Sequence, residues 1–186
     1  METLDFDEWF GPRQKLRQSR RDYFIALCRE IISQQLSGKA ANSIFKRFLE
    51  LFGPKQLTPR AVLQMPDQQI RDAGLSWAKI KYLKNLAEAV ETGQLDLKKI
   101  DQLDDADVIA ALTRIKGVGE WTAEMFLIFT LNREDVFSFG DLGLKKGIAK
   151  VYQVGNPDRD RIEKIITPWS PYKSYGSIAL WHSLDG

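Results

Sequence analysis

The chain has 186 residues, 44% of them apolar and 28% charged, with a net charge of +2. That is an ordinary globular composition, long enough to bury a core without disulfide or metal staples, and its charge permits nucleic-acid binding without arguing for it. A single cysteine, Cys28, excludes an internal disulfide and a four-cysteine zinc or iron–sulfur site, and a single histidine, His182, excludes a site with two or three histidine ligands. The chemistry of an enzyme with this composition would come from carboxylates, lysines, hydroxyls or backbone.

Helical periodicity dominates. Ser19-Arg20-Arg21-Asp22 has the pattern of a capping box, with Phe24, Leu27, Cys28 and Ile31 behind it on one face. Ser37 is a candidate cap for a second helix striped by Ala41, Ile44, Phe45, Phe48 and Phe52, which Gly53-Pro54 stops. Short helices start at Thr58-Pro59 and at Met65-Pro66-Asp67, the latter ending at Gly74. Ser76 opens a longer one, with Ile80, Leu83, Leu86, Ala87 and Val90 inward and Gly93 closing it.

From Asp104 or Asp105 a helix runs through Val108, Ile109 and Leu112 to a tight turn at Ile115-Lys116-Gly117-Val118-Gly119. Trp121 to Leu131 reads as a helix apolar nearly all round, hence buried. A loop from Asn132 to Gly140 leads to a helix starting at Asp141, with Leu144, Ile148 and Val151 on one face. Gly155-Asn156-Pro157 is a turn, and Ile162, Ile165 and Ile166 mark another short helix. Ser170-Pro171 is expected to open the last helix, serine as cap and proline at the first helical position. Only Val136 to Phe139 alternates like a strand, and it stands alone. The expected fold class is all-α, with about ten short helices.

The longest apolar run, Met125 to Leu131, is too short to span a membrane. The acidic start, Met1-Glu2-Thr3-Leu4-Asp5, lacks a secretory pattern. The expected location is intracellular: cytoplasm or nucleoid in a bacterium, nucleus in a eukaryote.

Two glycines bracket the turn at Gly117-Val118-Gly119, presenting free amides at a helix start, which favours an anion such as a DNA phosphate. The same pattern also serves as a plain turn between core helices. Its surroundings narrow the choice. The stretch Leu112-Thr113-Arg114-Ile115-Lys116-Gly117-Val118-Gly119-Glu120-Trp121-Thr122-Ala123-Glu124-Met125 resembles the helix–hairpin–helix of the HhH-GPD DNA glycosylases. Phe137-Ser138-Phe139-Gly140-Asp141-Leu142-Gly143-Leu144-Lys145 is similar to that family's loop ending in a catalytic aspartate. Ile31-Ile32-Ser33-Gln34-Gln35-Leu36-Ser37 with Ala40-Ala41 resembles the DNA-probing motif of the 3-methyladenine DNA glycosylase II branch. Trp169-Ser170-Pro171-Tyr172-Lys173-Ser174-Tyr175-Gly176, ending at Leu180-Trp181, resembles that branch's C-terminal helix. The four occur in family order between residues 31 and 181.

The resemblance implies one HhH-GPD domain over 1–186, with two helical lobes around a DNA-binding cleft: roughly 31–128, and roughly 1–30 plus 129–186. It implies hydrolytic removal of alkylated purines (3-methyladenine, 7-methylguanine) from double-stranded DNA by a monomer, with base flipping, no catalytic cofactor and an abasic product. Asp141 is the catalytic candidate, a fixed anion beneath the oxocarbenium-like sugar, although aspartate at a helix start is also a common cap. Trp121 stands where strand-cutting relatives carry a lysine nucleophile, so the resemblance points to an enzyme without lyase activity. Trp121, Met125 and Trp181 are candidate walls of the base pocket; electron-rich rings attract a cationic base by on the order of 1–2 kcal/mol. On spacing alone Trp181 could equally be a buried anchor of the last helix; at Trp121 the core reading is weakened because the family uses that position as a pocket wall. Gln35 and Leu36 are candidates for the side chain that fills the hole left by the flipped base; otherwise Leu36 is core and Gln35 caps a turn.

Gly117, Val118, Gly119 and Lys145 are candidate phosphate contacts, and Lys146 is a further one; both lysines could simply be solvated. Arg13, Lys15, Arg17, Arg20 and Arg21 read as solvated surface and His182 as a bystander. The family hairpin can hold a structural sodium or potassium ion through turn carbonyls, here those of Thr113, Ile115 and Val118.

The sequence departs from the family pattern at Gly140, commonly another aspartate, at Ser138 and Phe139, where a proline is usual, and at Met125, which can be tyrosine. Two rival readings are a glycosylase for uracil, hypoxanthine or an etheno base, and a non-catalytic binder of distorted DNA.

Overall fold

The computed structural model describes residues 20–36, 38–53 and 56–184. Helix α1 spans Arg20–Ser33 and α2 spans Gly38–Glu50. The caps expected at Ser19 and Ser37, and the stop at Pro54, lie outside the described residues, as do Arg13, Lys15 and Arg17. Helix α3 (Pro59–Gln64) begins where Thr58 accepts the Ala61 N–H at 3.2 Å, with proline in the first turn. Helix α4 (Asp67–Asp72) follows. Helix α5 (Trp77–Glu91) is capped by Ser76 and buries the predicted stripe from Ile80 to Val90. A 3₁₀ turn (Ile100–Gln102) leads to α6 (Asp105–Thr113) and α7 (Glu120–Phe129). Helices α8 (Leu142–Val151), α9 (Arg159–Ile166) and α10 (Lys173–His182) complete the described chain. Val136 to Ser138 has no regular secondary structure and Phe139 enters a turn, and no strand occurs among the described residues.

Apolar side chains gather in two cores. The larger takes Phe24 and Leu27 of α1, Phe48 of α2, Leu83 of α5, Leu112 of α6 and Phe126 of α7. The smaller consists of Phe137, Leu144, Ile148, Ile162, Ile166 and Leu180. Trp181 packs against both. Tyr23, Phe24, Leu27 and Cys28 of α1 are buried in the larger core. The apolar face of α1 is continuous to Ile32, and one rigid helix cannot divide it between two cores.

The prediction for α7 holds: every residue from Thr122 to Ile128 is buried. The last helix is corrected. Ser170 does not cap it; its hydroxyl donates to the Asp135 carboxylate, and the helix begins at Lys173. Ser174 stitches that helix to the preceding loop, donating to the Arg133 carbonyl at 2.6 Å and accepting the Val136 N–H at 3.0 Å. Among the described residues no helix is long and apolar enough to cross a membrane.

Helices α8 and α10 approach closely through Gly147. A β-carbon there would lie 2.9 Å from Leu180 Cβ and 3.1 Å from the Leu180 carbonyl oxygen. Alanine for glycine within a helix ordinarily stabilises by up to about 1 kcal/mol. At position 147 overpacking, at about 1–3 kcal/mol, opposes it. Gly147→Ala is therefore expected to lower the urea midpoint, and an unchanged or raised midpoint would show that the two helices can separate freely.

Candidate active site

The site forms where the loop from Asn132 to Gly140 leaves the larger core and enters the smaller one. Asp141 caps α8, its Oδ1 accepting the Leu144 N–H at 2.7 Å. Two indoles converge on the same carboxylate: Trp121 Nε1–H donates to Oδ2 at 2.7 Å and Trp181 Nε1–H to Oδ1 at 3.0 Å. Cap and functional group are thus compatible roles. Trp121 comes from the first turn of α7 and Trp181 from the last turn of α10. The indole of Trp181 reaches the carboxylate over a glycine. A β-carbon at Gly143 would lie 3.0 Å from Asp141 Oδ1 and 3.1 Å from Trp181 Nε1.

Met125 is buried one turn beyond Trp121 along α7. Phe129, a further turn on, is 52% exposed, and its ring centroid lies 5.7 Å from that of Trp181. The 121/125/129 spacing was the available signal for Phe129, but the surrounding apolar run hid it. Lys145 is half-buried in the first turn of α8, and Lys146 and His182 are exposed. Cys28 is fully buried, and burial pushes its thiol up, so it offers no thiolate.

The hairpin between α6 and α7 and the turn after α1 form one assembly. Gln34 Nε2 donates to the Gly117 carbonyl and to Thr122 Oγ1, both at 3.0 Å. Asn85 donates to the Lys116 carbonyl at 2.9 Å. The Ile115 carbonyl accepts the Val118 N–H at 2.9 Å. Lys79 Nζ, its pKa lowered by burial, donates at 2.7 Å to the carbonyls of Ile32 and Gln34 at the end of α1. Gln35 takes a left-handed conformation, φ 58°, and Leu36 is 38% exposed, so Leu36 is not core. The sequence reading singled out Gln35 and Leu36 but not Gln34 and Lys79, whose partners lie far along the chain.

Glu124 is the other residue the sequence concealed. It is 7% exposed on α7, and its Oε2 accepts a 2.5 Å hydrogen bond from the fully buried Ser138 hydroxyl. Burial pushes this carboxyl above the ordinary carboxylate range; Ser138 and the Arg159 charge oppose the shift, while Glu120 and Asp141 add to it.

Comparison with known proteins agrees with the geometry. Residues 28–171 match the model of the HhH-GPD superfamily base excision DNA repair protein. The chain is 34% identical over 172 residues to DNA-3-methyladenine glycosylase 1 of Schizosaccharomyces pombe, covering 91% of this chain and 75% of that protein. The structure of the S. pombe 3-methyladenine DNA glycosylase Mag1 with abasic DNA superposes with a TM-score of 0.81 at 33% identity, over 94% of this chain and 87% of that one. A DNA-3-methyladenine glycosidase from Bacillus halodurans gives a TM-score of 0.75 at 38% identity, over 87% and 75%.

The two hairpin glycines differ physically. Gly117 has φ +107°, and a β-carbon on it would lie 2.1 Å from Tyr82 Cγ. Gly119 has φ −94° and no neighbour within 4 Å of that position. Gly117→Ala should lower the melting temperature, since left-handed backbone costs about 1–2 kcal/mol before the clash is counted. Gly119→Ala meets no clash and should cost much less, only the smaller penalty of alanine at a helix N-cap. A matching loss of stability in both would contradict this distinction.

The raised Glu124 carboxyl also has a signature in stability. The folded chain keeps this proton to a higher pH than the unfolded chain, so stability is lost as pH rises through the folded value. Glu124→Gln cannot ionise. Its stability relative to wild type, from urea midpoints, should therefore improve between pH 4 and pH 8, and a constant difference would refute it.

Proposed function

Since the chain belongs to the HhH-GPD superfamily of base excision DNA repair proteins, we infer that it is a monofunctional DNA glycosylase releasing alkylated purines from duplex DNA. The observation that carries this reading is Asp141, a helix cap whose carboxylate is fixed by two indole N–H groups. As an N-glycosidic bond breaks, positive charge develops on the sugar, and an anion that needs no reorganisation stabilises that charge. The leaving purine is itself cationic when alkylated at N3 or N7, so departure demands little proton transfer. Water then captures the sugar and leaves an abasic site.

With their N–H edges on Asp141, Trp121 and Trp181 have only their ring faces left for a base. Stacking of a cationic base on them, beside Met125, gives the selectivity. Gln35 or Leu36 fills the vacated stack, their turn held by Lys79 and Gln34. The amides of Gly117, Val118 and Gly119, with Lys145, take backbone phosphates. The carbonyls of Thr113, Ile115 and Val118 would hold a sodium or potassium ion there: the hairpin is oriented by Asn85 and Gln34 through the carbonyls of Lys116 and Gly117, and neutral oxygens suit a monovalent ion. Catalysis uses no cofactor. The protein acts as a monomer on DNA inside the cell, and the aromatic residue at 121 leaves no amine for a Schiff base.

The test is base release from methylated duplex DNA, measured by mass spectrometry. Wild type is expected to release 3-methyladenine or 7-methylguanine, and Asp141→Asn to lose about 10²–10³ of the rate. Borohydride should trap no covalent complex. Binding without release by either protein would overturn the alkylpurine reading, and release from duplexes carrying uracil, hypoxanthine or an etheno base would then separate another glycosylase from a binder of distorted DNA.

A further inference from the structure

We propose that Glu124 is a positioning residue for this reaction: through Ser138 it fastens the loop that carries Asp141 to the helix that carries Trp121. The proposal rests on the glycosylase reading for its consequence in catalysis, and on geometry alone for the contact. Trp121 and Glu124 lie three residues apart on α7, one turn of one helical face. Glu124 Oε2 accepts from the Ser138 hydroxyl at 2.5 Å. The Ser138 carbonyl accepts the Asp141 N–H at 3.2 Å, and Asp141 Oδ2 accepts the Trp121 indole N–H at 2.7 Å. These links close a ring from α7 out to the loop and back to α7.

A carboxyl on a helix otherwise apolar from Thr122 to Ile128 brings no packing advantage and carries a desolvation cost. Its position is explained by what it holds. Ser138 has no exposed surface, so water does not compete for the bond. The charged groups facing Glu124 are Glu120 on its own helix, Asp141 on the loop and Arg159 at the start of α9. Two of the three are acidic, so a second negative charge at Glu124 would repel the anion the reaction needs. Burial opposes ionisation of Glu124, which limits that repulsion while the carboxyl holds the loop.

The test uses the full chain as wild type, Glu124→Gln, Glu124→Ala and Ser138→Ala. Three readouts are taken: single-turnover base release from methylated duplex, affinity for a duplex with an abasic analogue, and the indole N–H signals in ¹H–¹⁵N spectra without DNA. Glu124→Ala and Ser138→Ala are expected to slow release about tenfold or more while affinity stays within about threefold, the pattern of lost alignment rather than lost binding. The Trp121 and Trp181 indole signals should move in both. Glu124→Gln, which keeps a partner for Ser138, should restore release to within about threefold of wild type.

The proposal is overturned if Glu124→Ala releases base at the wild-type rate, if the indole signals stay in place, or if Glu124→Gln is as slow as Glu124→Ala. If Glu124→Ala does not fold, Ser138→Ala and Glu124→Gln decide by the same criteria. Failure of the wild type to release any base overturns the glycosylase reading and the catalytic role of Glu124 with it. The indole spectra report separately on whether the contact positions Asp141.

Discussion

One carboxylate gathers the site. Asp141 accepts from the start of α8, from an indole on α7 and from an indole on α10. These donors belong to segments packed in different cores, so the carboxylate's orientation depends on how the cores meet. A surface aspartate satisfied by water would hold no such geometry. Removing either indole would leave the carboxylate one donor short, held only by the start of α8 and the remaining indole.

The same economy operates beside it, where the hairpin enters the start of α7. Gln34 bonds at once to the hairpin and to the first turn of that helix, while Lys79 closes the carbonyl end of α1. The turn bearing Gln35 and Leu36 is therefore registered to the hairpin amides through side chains rather than through backbone continuity. Gly117 admits the aromatic ring of Tyr82 against the hairpin backbone, as only glycine could at that distance. A residue inserted at the wedge and a phosphate held at the hairpin would then sit in a fixed relation.

Most helices were legible because caps, breakers and 3.6-residue stripes agree locally: Thr58, Ser76, Asp141 and the apolar run through α7 all behaved as their residue types dictate. Ser170 misled because serine before proline reads as a cap, whereas Asp135, far away in sequence, claims its hydroxyl. Asp141 and the two tryptophans were nameable, but their mutual hydrogen bonds were not, since edge-on indole contacts leave no periodicity. Glu124, Gln34 and Gly143 were missed for the same reason: each is defined by a partner, and partners across long separations are set only when the chain closes.

Trp181 rests on both cores, and its helix reaches the larger one through Ile178 but buries Leu180 in the smaller, whose six buried side chains are few beside those of the larger. Local opening follows the least buried apolar surface. The C-terminal helices should thus detach from the body of the protein before it unfolds. That detachment would withdraw an indole from Asp141 while most of the helix content remains. Heat inactivation would then precede the loss of circular dichroism, and it would reverse on cooling, because the larger core remains as the template on which the site reassembles.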